Sequence, residues 1–348
     1  MLIDKEGNFI KLAGIPNYSK LLVGGSGYGK TYGVNRFIEE AVKQGKYIRI
    51  VDYSGSYTKK ELGKSNFQYL NEIDYLDTGA NVVTVKLRYS TKTAFCKDVT
   101  DALLKTTGID SYYQRKWLIR AVEQHMKNRD SLYFSQLVRD LEELFEQAEY
   151  DGESKENIDN IARLLSRFYP YENLRDFSLG FVKEEIQGKP VQIIQINRLS
   201  EMERRFTTTF LLEMLWKEIQ HNEKTPCYEL LVLDEFQFLS LAPGSALTNM
   251  LREGRRFGLE LLLSTQFVSC YSKEEVRTLF QVGSVLIFRP TSEDLAFWSK
   301  MIDSAKAYEW KLLLSRLAVG QAVLKGKYYI NHNDMAVEVP IVCRIQNE

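Results

Sequence analysis

Two periodicities alternate along the chain. Short apolar runs over 8–14 (NFIKLAG) and 20–24 (KLLVG) flank a turn at Pro16-Asn17 and predict strands. Beyond Gly29, Val34, Phe37, Ile38, Ala41 and Val42 recur at helical spacing, and Gly45 supplies a stop. Tyr47-Ile48-Arg49-Ile50-Val51 then reads as a strand ending at Asp52. Strand, helix and strand within about 30 residues form a βαβ unit, the building block of a parallel sheet. A further strand is predicted over 81–87.

From 91 to 182 the pattern turns helical. Phe134, Leu137, Val138, Leu141, Leu144 and Phe145 make one apolar stripe, with Arg139, Asp140, Glu142 and Glu143 on the other side. Asp130 or Ser131 is the expected cap of that helix, and the polar stretch 151–159 (DGESKENID) the expected exposed connection. Strand-like runs resume at 191–196. A helix over 202–220 follows, then strands at 229–233, Leu259–Thr265, Ser284–Phe288, 321–324 and near 336–345. The expected organisation is an α/β core split by an insertion, with 1–90 its first part, 91–182 a helical insertion and 183–348 its second part.

Composition narrows the class without naming a chemistry. The 348 residues carry 46 Lys+Arg against 46 Asp+Glu, with 44% hydrophobic and 26% charged positions, an ordinary globular make-up. Such a chain can bury a core without disulfides or metals. Zero net charge excludes a polybasic-tail protein but leaves nucleic-acid binding through a local basic stripe open. Cys96, Cys227, Cys270 and Cys343 form no short-spaced pair, and His125, His221 and His332 lie out of helical reach of one another. Neither a zinc ribbon nor a histidine-rich metal site is expected. No apolar stretch approaches the roughly 18 residues that span a bilayer. The opening MLIDKE breaks any signal-peptide run, so a cytoplasmic protein without a membrane span is expected.

Chemistry enters with Gly24-Gly25-Ser26-Gly27-Tyr28-Gly29-Lys30-Thr31. It satisfies G-x-x-x-x-G-K-[ST] directly after a predicted strand and at the start of a predicted helix. Glycines let backbone N–H groups turn inward around phosphate oxygens, and the helix N-terminus adds partial positive charge. Lys30 would reach the β- and γ-phosphates of ATP, and the Thr31 hydroxyl would bind Mg²⁺. A chance glycine-rich match in a chain this long is on the order of one in a hundred, so the phosphate-binding loop is the better reading. The dinucleotide fingerprint G-x-G-x-x-G, with Asp52 as its ribose-binding acid, fails because its third glycine would fall on Lys30.

Leu230-Leu231-Val232-Leu233-Asp234-Glu235 is an aliphatic run ending in two acids. A buried parallel strand delivers such residues into the crevice at its C-terminal edge. Asp234 would hold Mg²⁺, and Glu235 would orient and deprotonate the attacking water. Two acids often end a strand without function, and the P-loop upstream tips the balance. Glu235 points to an ATP hydrolase, since small-molecule kinases need no water-activating base there. The run Leu259–Thr265 ends at Gln266, which could sense the γ-phosphate. Arg252, Arg255 or Arg256 could act across a subunit boundary as an arginine finger, or merely complement a solvated helix end.

Taken in order, the P-loop, Asp52-Tyr53-Ser54-Gly55-Ser56-Tyr57, LLVLDE and REGRRFGLELLLSTQ resemble the HerA/FtsK superfamily of P-loop ATPases. Within it the likeness is to HerA-type DNA translocases and the ATPases of conjugation systems. Val285-Leu286-Ile287-Phe288-Arg289 and Leu317-Ala318-Val319-Gly320-Gln321-Ala322 agree, so the resemblance covers roughly 18–330. It implies an α/β, RecA-like P-loop NTPase core with a mainly parallel central sheet and an inserted helical subdomain. It further implies a homo-oligomeric ring, expected to be a hexamer, that encloses double-stranded DNA and moves it by ATP hydrolysis.

Carried over by position, the loop from Gly24, Gly25, Ser26, Gly27, Tyr28 and Gly29 to Lys30 and Thr31 binds nucleotide and Mg²⁺. Asp234 and Glu235 do the Walker B work, Gln266 falls on the sensor glutamine, and Arg252 or Arg255 on the trans-acting arginine. Asp52 matches an acid that the family places beside the nucleotide. The family's Asp-Pro-His-Gly-Glu-Tyr has Ser54 and Ser56 here in place of His and Glu. Only 23 residues precede Gly24, so a motor without the family's N-terminal barrel is expected.

Two alternatives share this chemistry. One is the ATPase subunit of a conjugative or phage-like DNA transfer apparatus. The other is a nucleotide-gated ring scaffold that activates a partner nuclease in anti-phage defence. DNA contacts are expected in loops 236–248 and 267–277, through hydroxyls such as Ser240, Ser245, Thr248 and Ser269, with Lys59, Lys60 and Lys64 as a further basic group. A plain solvated loop is an equal reading of each.

Overall fold

The computed structural model describes residues 2–13, 17–64, 67–77, 83–174, 177–182, 189–221, 229–331, 333 and 335–346. The first elements are β1 (Leu2–Asp4), β2 (Phe9–Leu12), β3 (Lys20–Val23), α1 (Lys30–Lys43), β4 (Tyr47–Asp52), α2 (Lys59–Leu62) and β5 (Ile73–Asp77). Next come β6 (Val83–Arg88), α3 (Lys92–Thr107), α4 (Tyr112–Met126), β7 (Ser131–Tyr133), α5 (Phe134–Tyr150), α6 (Lys155–Phe168), β8 (Phe177–Val182), β9 (Val191–Gln195) and α7 (Glu201–His221). After these follow β10 (Glu229–Asp234), α8 (Ala246–Glu253), β11 (Leu259–Thr265), α9 (Lys273–Leu279), β12 (Ser284–Phe288), α10 (Leu295–Ile302) and α11 (Ala307–Ser315). The chain closes with β13 (Gln321–Gly326), β14 (Tyr328–Ile330) and β15 (Ile341–Ile345). These elements divide into two compact units, one of 1–73, 190–192 and 224–348, the other of 74–189 and 193–223.

In the first unit the strands run in the order β14-β2-β1-β15-β13-β12-β3-β11-β10-β4. From β12 through β3, β11 and β10 to β4 every pairing is parallel. From β12 outward to β13, β15, β1, β2 and β14 every pairing is antiparallel. Every residue of β10 and β11 is buried, which is why both read as unbroken aliphatic runs rather than alternating ones. Glu229 and Glu260 are the acidic exceptions ahead of the strand ends: Glu229 pairs with Arg49 at 3.4 Å, and Glu260 pairs with both Lys20 and Lys46. The parallel register places Thr265 opposite Val23 and Asp234 opposite Ser264. The loop after β3, the end of β11 and the acids after β10 therefore share one edge, with β11 in the middle.

The second unit is built separately, on helices α3 to α7 and a three-stranded sheet in the order β6-β8-β7. Its core gathers Phe134, Phe177, Phe206 and Phe210, with Tyr171 stacked on Phe206 at 3.9 Å between ring centres. The fully buried His125 sets Nδ1 2.6 Å from Asp140 and accepts the Tyr133 N–H at Nε2, so it ties α4 to β7.

This unit is wider than the expected insertion of 91–182, because it includes β6, part of β9 and α7. The start of α5 also differs from expectation. Neither Asp130 nor Ser131 caps it: 131–133 pairs with β8, and Tyr133 stands at the N-cap without a side-chain bond. Within the expected connection 151–159, Ser154 caps α6 by accepting the Asn157 N–H, so helix resumes at Lys155. Pro16 of the expected turn, 81–82 of the expected strand, Cys227 and His332 lie outside the described residues.

Candidate functional site

The glycine loop is shaped by what closes on it. Gly24, Gly27 and Gly29 take φ of 148°, 80° and 100°. A Cβ on Gly24 would stand 2.7 Å from the Phe288 Cβ, and one on Gly29 would stand 3.2 Å from the Gly320 nitrogen. One on Gly27 would meet nothing within 4 Å. Gly24 and Gly29 therefore serve packing, and Gly27 borders open space. The Gly25 N–H donates to the Arg289 carbonyl at 2.8 Å, and the Gly320 N–H to the Tyr28 carbonyl at 3.0 Å. The end of β12 and the turn before β13 thus hold the loop in place.

Lys30 opens α1 and is 7% exposed, with Nζ donating to the Gly25 carbonyl at 3.1 Å. Burial depresses its ammonium below the ordinary value, and the nearby Glu235 and Asp234 carboxylates oppose that. Thr31, next in the helix, is exposed. Asp234 ends β10 and is buried. Burial pushes its carboxyl above the usual range, and Glu235 adds to this, while the Ser264 hydroxyl, Lys30 and the Glu235 N–H work against it.

Asp52 ends β4. It is fully buried, and its two oxygens accept the Gly55 N–H at 2.8 Å and the Tyr57 N–H at 3.2 Å. It shapes the turn that sets Tyr57, whose fully buried hydroxyl is held protonated by burial first and by Asp234 next. Tyr57 is thereby set near Asp234, whereas in the sequence it stands only as a family mark. Its aromatic side chain among polar turn residues is the one signal in sequence.

Glu235 follows Asp234 with φ 56° and ψ 42°. A non-glycine residue in this left-handed region costs about 1–2 kcal/mol, a strain that collects at functional sites. Its N–H donates to Asp234 Oδ1 at 3.0 Å. Gln266 Nε2 donates to its Oε1 at 2.8 Å, and Gln237 Nε2 to its Oε2 at 2.5 Å. Gln237 lies on the 3-10 turn Phe236–Phe238 and was not singled out from sequence.

Lys30, Asp234, Glu235 and Gln266 are thus brought together, and the arginines are not. Arg252 lies in the last turn of α8, and Arg255 and Arg256 follow on the 3-10 turn Gly254–Phe257, all three exposed. They precede β11, whose seven residues separate them from Gln266. At about 3.3 Å per residue that is roughly 20 Å. Among the expected DNA-contact hydroxyls, Ser240 and Ser269 are exposed, whereas Thr248 is fully buried and donates to the Leu241 carbonyl at 2.8 Å. Lys59, Lys60 and Lys64 are exposed, with Lys64 paired to Glu61 at 2.7 Å.

A glycine loop between a parallel strand and a helix, a buried lysine, and an acid pair two strands over define a P-loop nucleoside triphosphatase. The family model described as "Helicase HerA, central domain" matches residues 18–215. The chain belongs to that family, and so is a HerA/FtsK-type P-loop ATPase. In fold it is similar to VirB4 of Thermoanaerobacter pseudethanolicus, at 15% identity and a TM-score of 0.68, over 99% of this chain and 95% of that one. It is likewise similar to the plasmid coupling protein TrwB, solved with the ATP analogue ADPNP and with ADP and Mg²⁺. Each of those matches has 15% identity, a TM-score of 0.62, and covers 95% of this chain and 88% of that one. No curated protein matches the chain. Among the described residues no helix is long and apolar enough to cross a membrane.

Proposed function

We propose that this ATPase is a double-stranded-DNA translocase working as a homo-oligomeric ring, expected to be a hexamer, with ATP bound at subunit boundaries. The loop Gly24–Thr31 binds the phosphates, and Lys30 places its charge at their β and γ positions. Asp234 and the Thr31 hydroxyl hold Mg²⁺. This all-oxygen pair suits a hard cation completed by phosphate and water, and among the described residues no cluster of three His, Cys, Asp or Glu offers a softer site. Bound MgATP supplies the phosphoryl group and the charge that neutralises it. Glu235 orients the attacking water and takes its proton, and Gln266 reads the γ-phosphate. Asp52 acts through the turn that it holds.

The placement of the arginines carries the ring reading. Arg252 and Arg255 are exposed, form no ion pair among the described residues, and sit a strand's length from their own P-loop. Exposed and remote from their own P-loop, they are placed to serve another subunit's site, which supports the ring reading. The test is subunit mixing. Lys30→Ala and the double variant Arg252→Ala/Arg255→Ala should each lose hydrolysis. An equimolar mixture should recover it, with intact boundaries at about a quarter of the interfaces. No recovery, together with a monomer by light scattering under an ATP analogue, would refute the ring.

The same chemistry serves a DNA transfer apparatus, and the likeness in fold to VirB4 and TrwB supports that as the second reading. A nuclease-activating scaffold differs in needing little DNA-driven turnover.

A further inference from the structure

We infer that Gln237 is a positioning residue for the water-activating glutamate, with the direction of its amide set by Thr265. The inference rests on the reading of Glu235 as the base. An ionised carboxylate can only accept, so Gln237 must turn Nε2 toward Glu235 and Oε1 away from it. That oxygen meets a donor, the Thr265 hydroxyl, at 2.7 Å. The reversed amide would set oxygen against oxygen at Glu235. Thr265 is fully buried as the last residue of β11, and its single hydroxyl proton is shared between Gln237 Oε1, the nearer acceptor, and the Phe267 carbonyl at 2.9 Å.

The turn that carries Gln237 is fixed as well. Tyr271 bonds through its hydroxyl to the Phe236 carbonyl at 2.9 Å and the Leu239 carbonyl at 3.1 Å, and its ring stacks on Phe236. Glu235, in its left-handed backbone, is therefore gripped by two amides of unequal freedom. Gln266 stands just beyond the end of β11, and among the described residues its amide bonds only Glu235. Gln237 is backed by a buried hydroxyl on an anchored turn. When Gln266 turns to the γ-phosphate, Gln237 is the hold that keeps the carboxylate aimed. Hydrogen bonds to charged groups are the strong ones, so losing this hold should cost roughly tenfold or more in turnover.

The test uses the full chain, with steady-state ATP hydrolysis and binding of a fluorescent ATP analogue. Gln237→Met keeps the side chain's length and removes the donor. It should lower kcat roughly tenfold or more while KM and analogue affinity stay within about twofold. Thr265→Val should cause a smaller loss that Thr265→Ser largely recovers. The double variant Gln237→Met/Thr265→Val should be little slower than Gln237→Met alone, because the hydroxyl acts on Glu235 through that amide. Wild-type kcat in Gln237→Met, a loss confined to KM, or fully additive losses would each overturn the inference. Glu235→Gln separates the two claims. If it still hydrolyses ATP, the base assignment falls and this inference with it. If it is inactive while Gln237→Met turns over normally, only the role of Gln237 falls.

Discussion

Replacing Gly24 and Gly27 separately by alanine distinguishes the two tasks of the phosphate loop. Both have positive φ, at 148° and 80°, so both variants carry a backbone penalty, about 1 kcal/mol at Gly27 net of the stiffer unfolded chain and at least that at Gly24, whose φ lies beyond the left-handed helical region. They differ in what the new methyl meets. At Gly24 it lands 2.7 Å from the Phe288 Cβ and 3.1 Å from the Phe288 carbonyl group, where β3 and β12 are locked by pairing. Overpacking of this kind costs about 1–3 kcal/mol, so Gly24→Ala should lose about 3 kcal/mol in all. At Gly27 nothing lies within 4 Å, so Gly27→Ala should lose only the backbone share, about 1 kcal/mol. Urea unfolding by circular dichroism measures this difference, and binding of a fluorescent ATP analogue measures the other half. The open space beside Gly27 is where a phosphate would approach the backbone, so Gly27→Ala should lose affinity far beyond its small loss of stability. Equal destabilisation by the two variants, or unchanged affinity in Gly27→Ala, would refute this division of labour.

Two further outcomes follow from buried charge. Burial raises the folded-state pKa of Asp234 above 3.8, so the folded protein binds that proton more tightly than the unfolded chain. Stability from this group is present below 3.8 and lost as pH rises through the folded value, so the ionised acid is a cost at neutral pH. Without nucleotide, Asp234→Asn should melt higher than wild type near pH 7, with the gap closing toward pH 4; an equal or lower melting temperature at neutral pH contradicts this. Glu260 has the opposite sign. Burial raises it, but Lys20 and Lys46 outweigh that and leave its pKa below 4.5, so its stabilisation is present above 4.5 and lost as pH falls through the folded value. Glu260→Gln should cost about 3 kcal/mol at neutral pH and much less near pH 3, as read by urea unfolding; a pH-independent difference would be inconsistent with the pairing.

The core was legible where burial is two-sided and spacing is strict. β10 and β11 stand out as aliphatic runs because both faces of a parallel strand are covered, and the P-loop because glycine, lysine and threonine must recur at fixed intervals. What escaped depends on pairing at a distance. Ser131-Leu132-Tyr133 is too short to show a period and is a strand only because β8 accepts it. Thr248 looks like a loop hydroxyl, yet the start of α8 turns it inward to the Leu241 carbonyl. Asp52 reads from sequence as an acid beside the nucleotide, and the backbone N–H groups of its own turn that its oxygens accept are not marked by any local pattern. Gln237 and Thr265 lie 28 residues apart and meet only because β10 and β11 end side by side. No local pattern marks such a pair.

The most direct test of the motor account is steady-state ATP hydrolysis by the full chain, with and without double-stranded DNA, across a salt series. The chain has no net charge, so any grip on DNA depends on many subunits concentrating a modest local field. The account predicts turnover that DNA stimulates severalfold at low salt, that fades as salt rises, and that vanishes in Glu235→Gln. Hydrolysis that double-stranded DNA leaves unchanged at every salt concentration would contradict it.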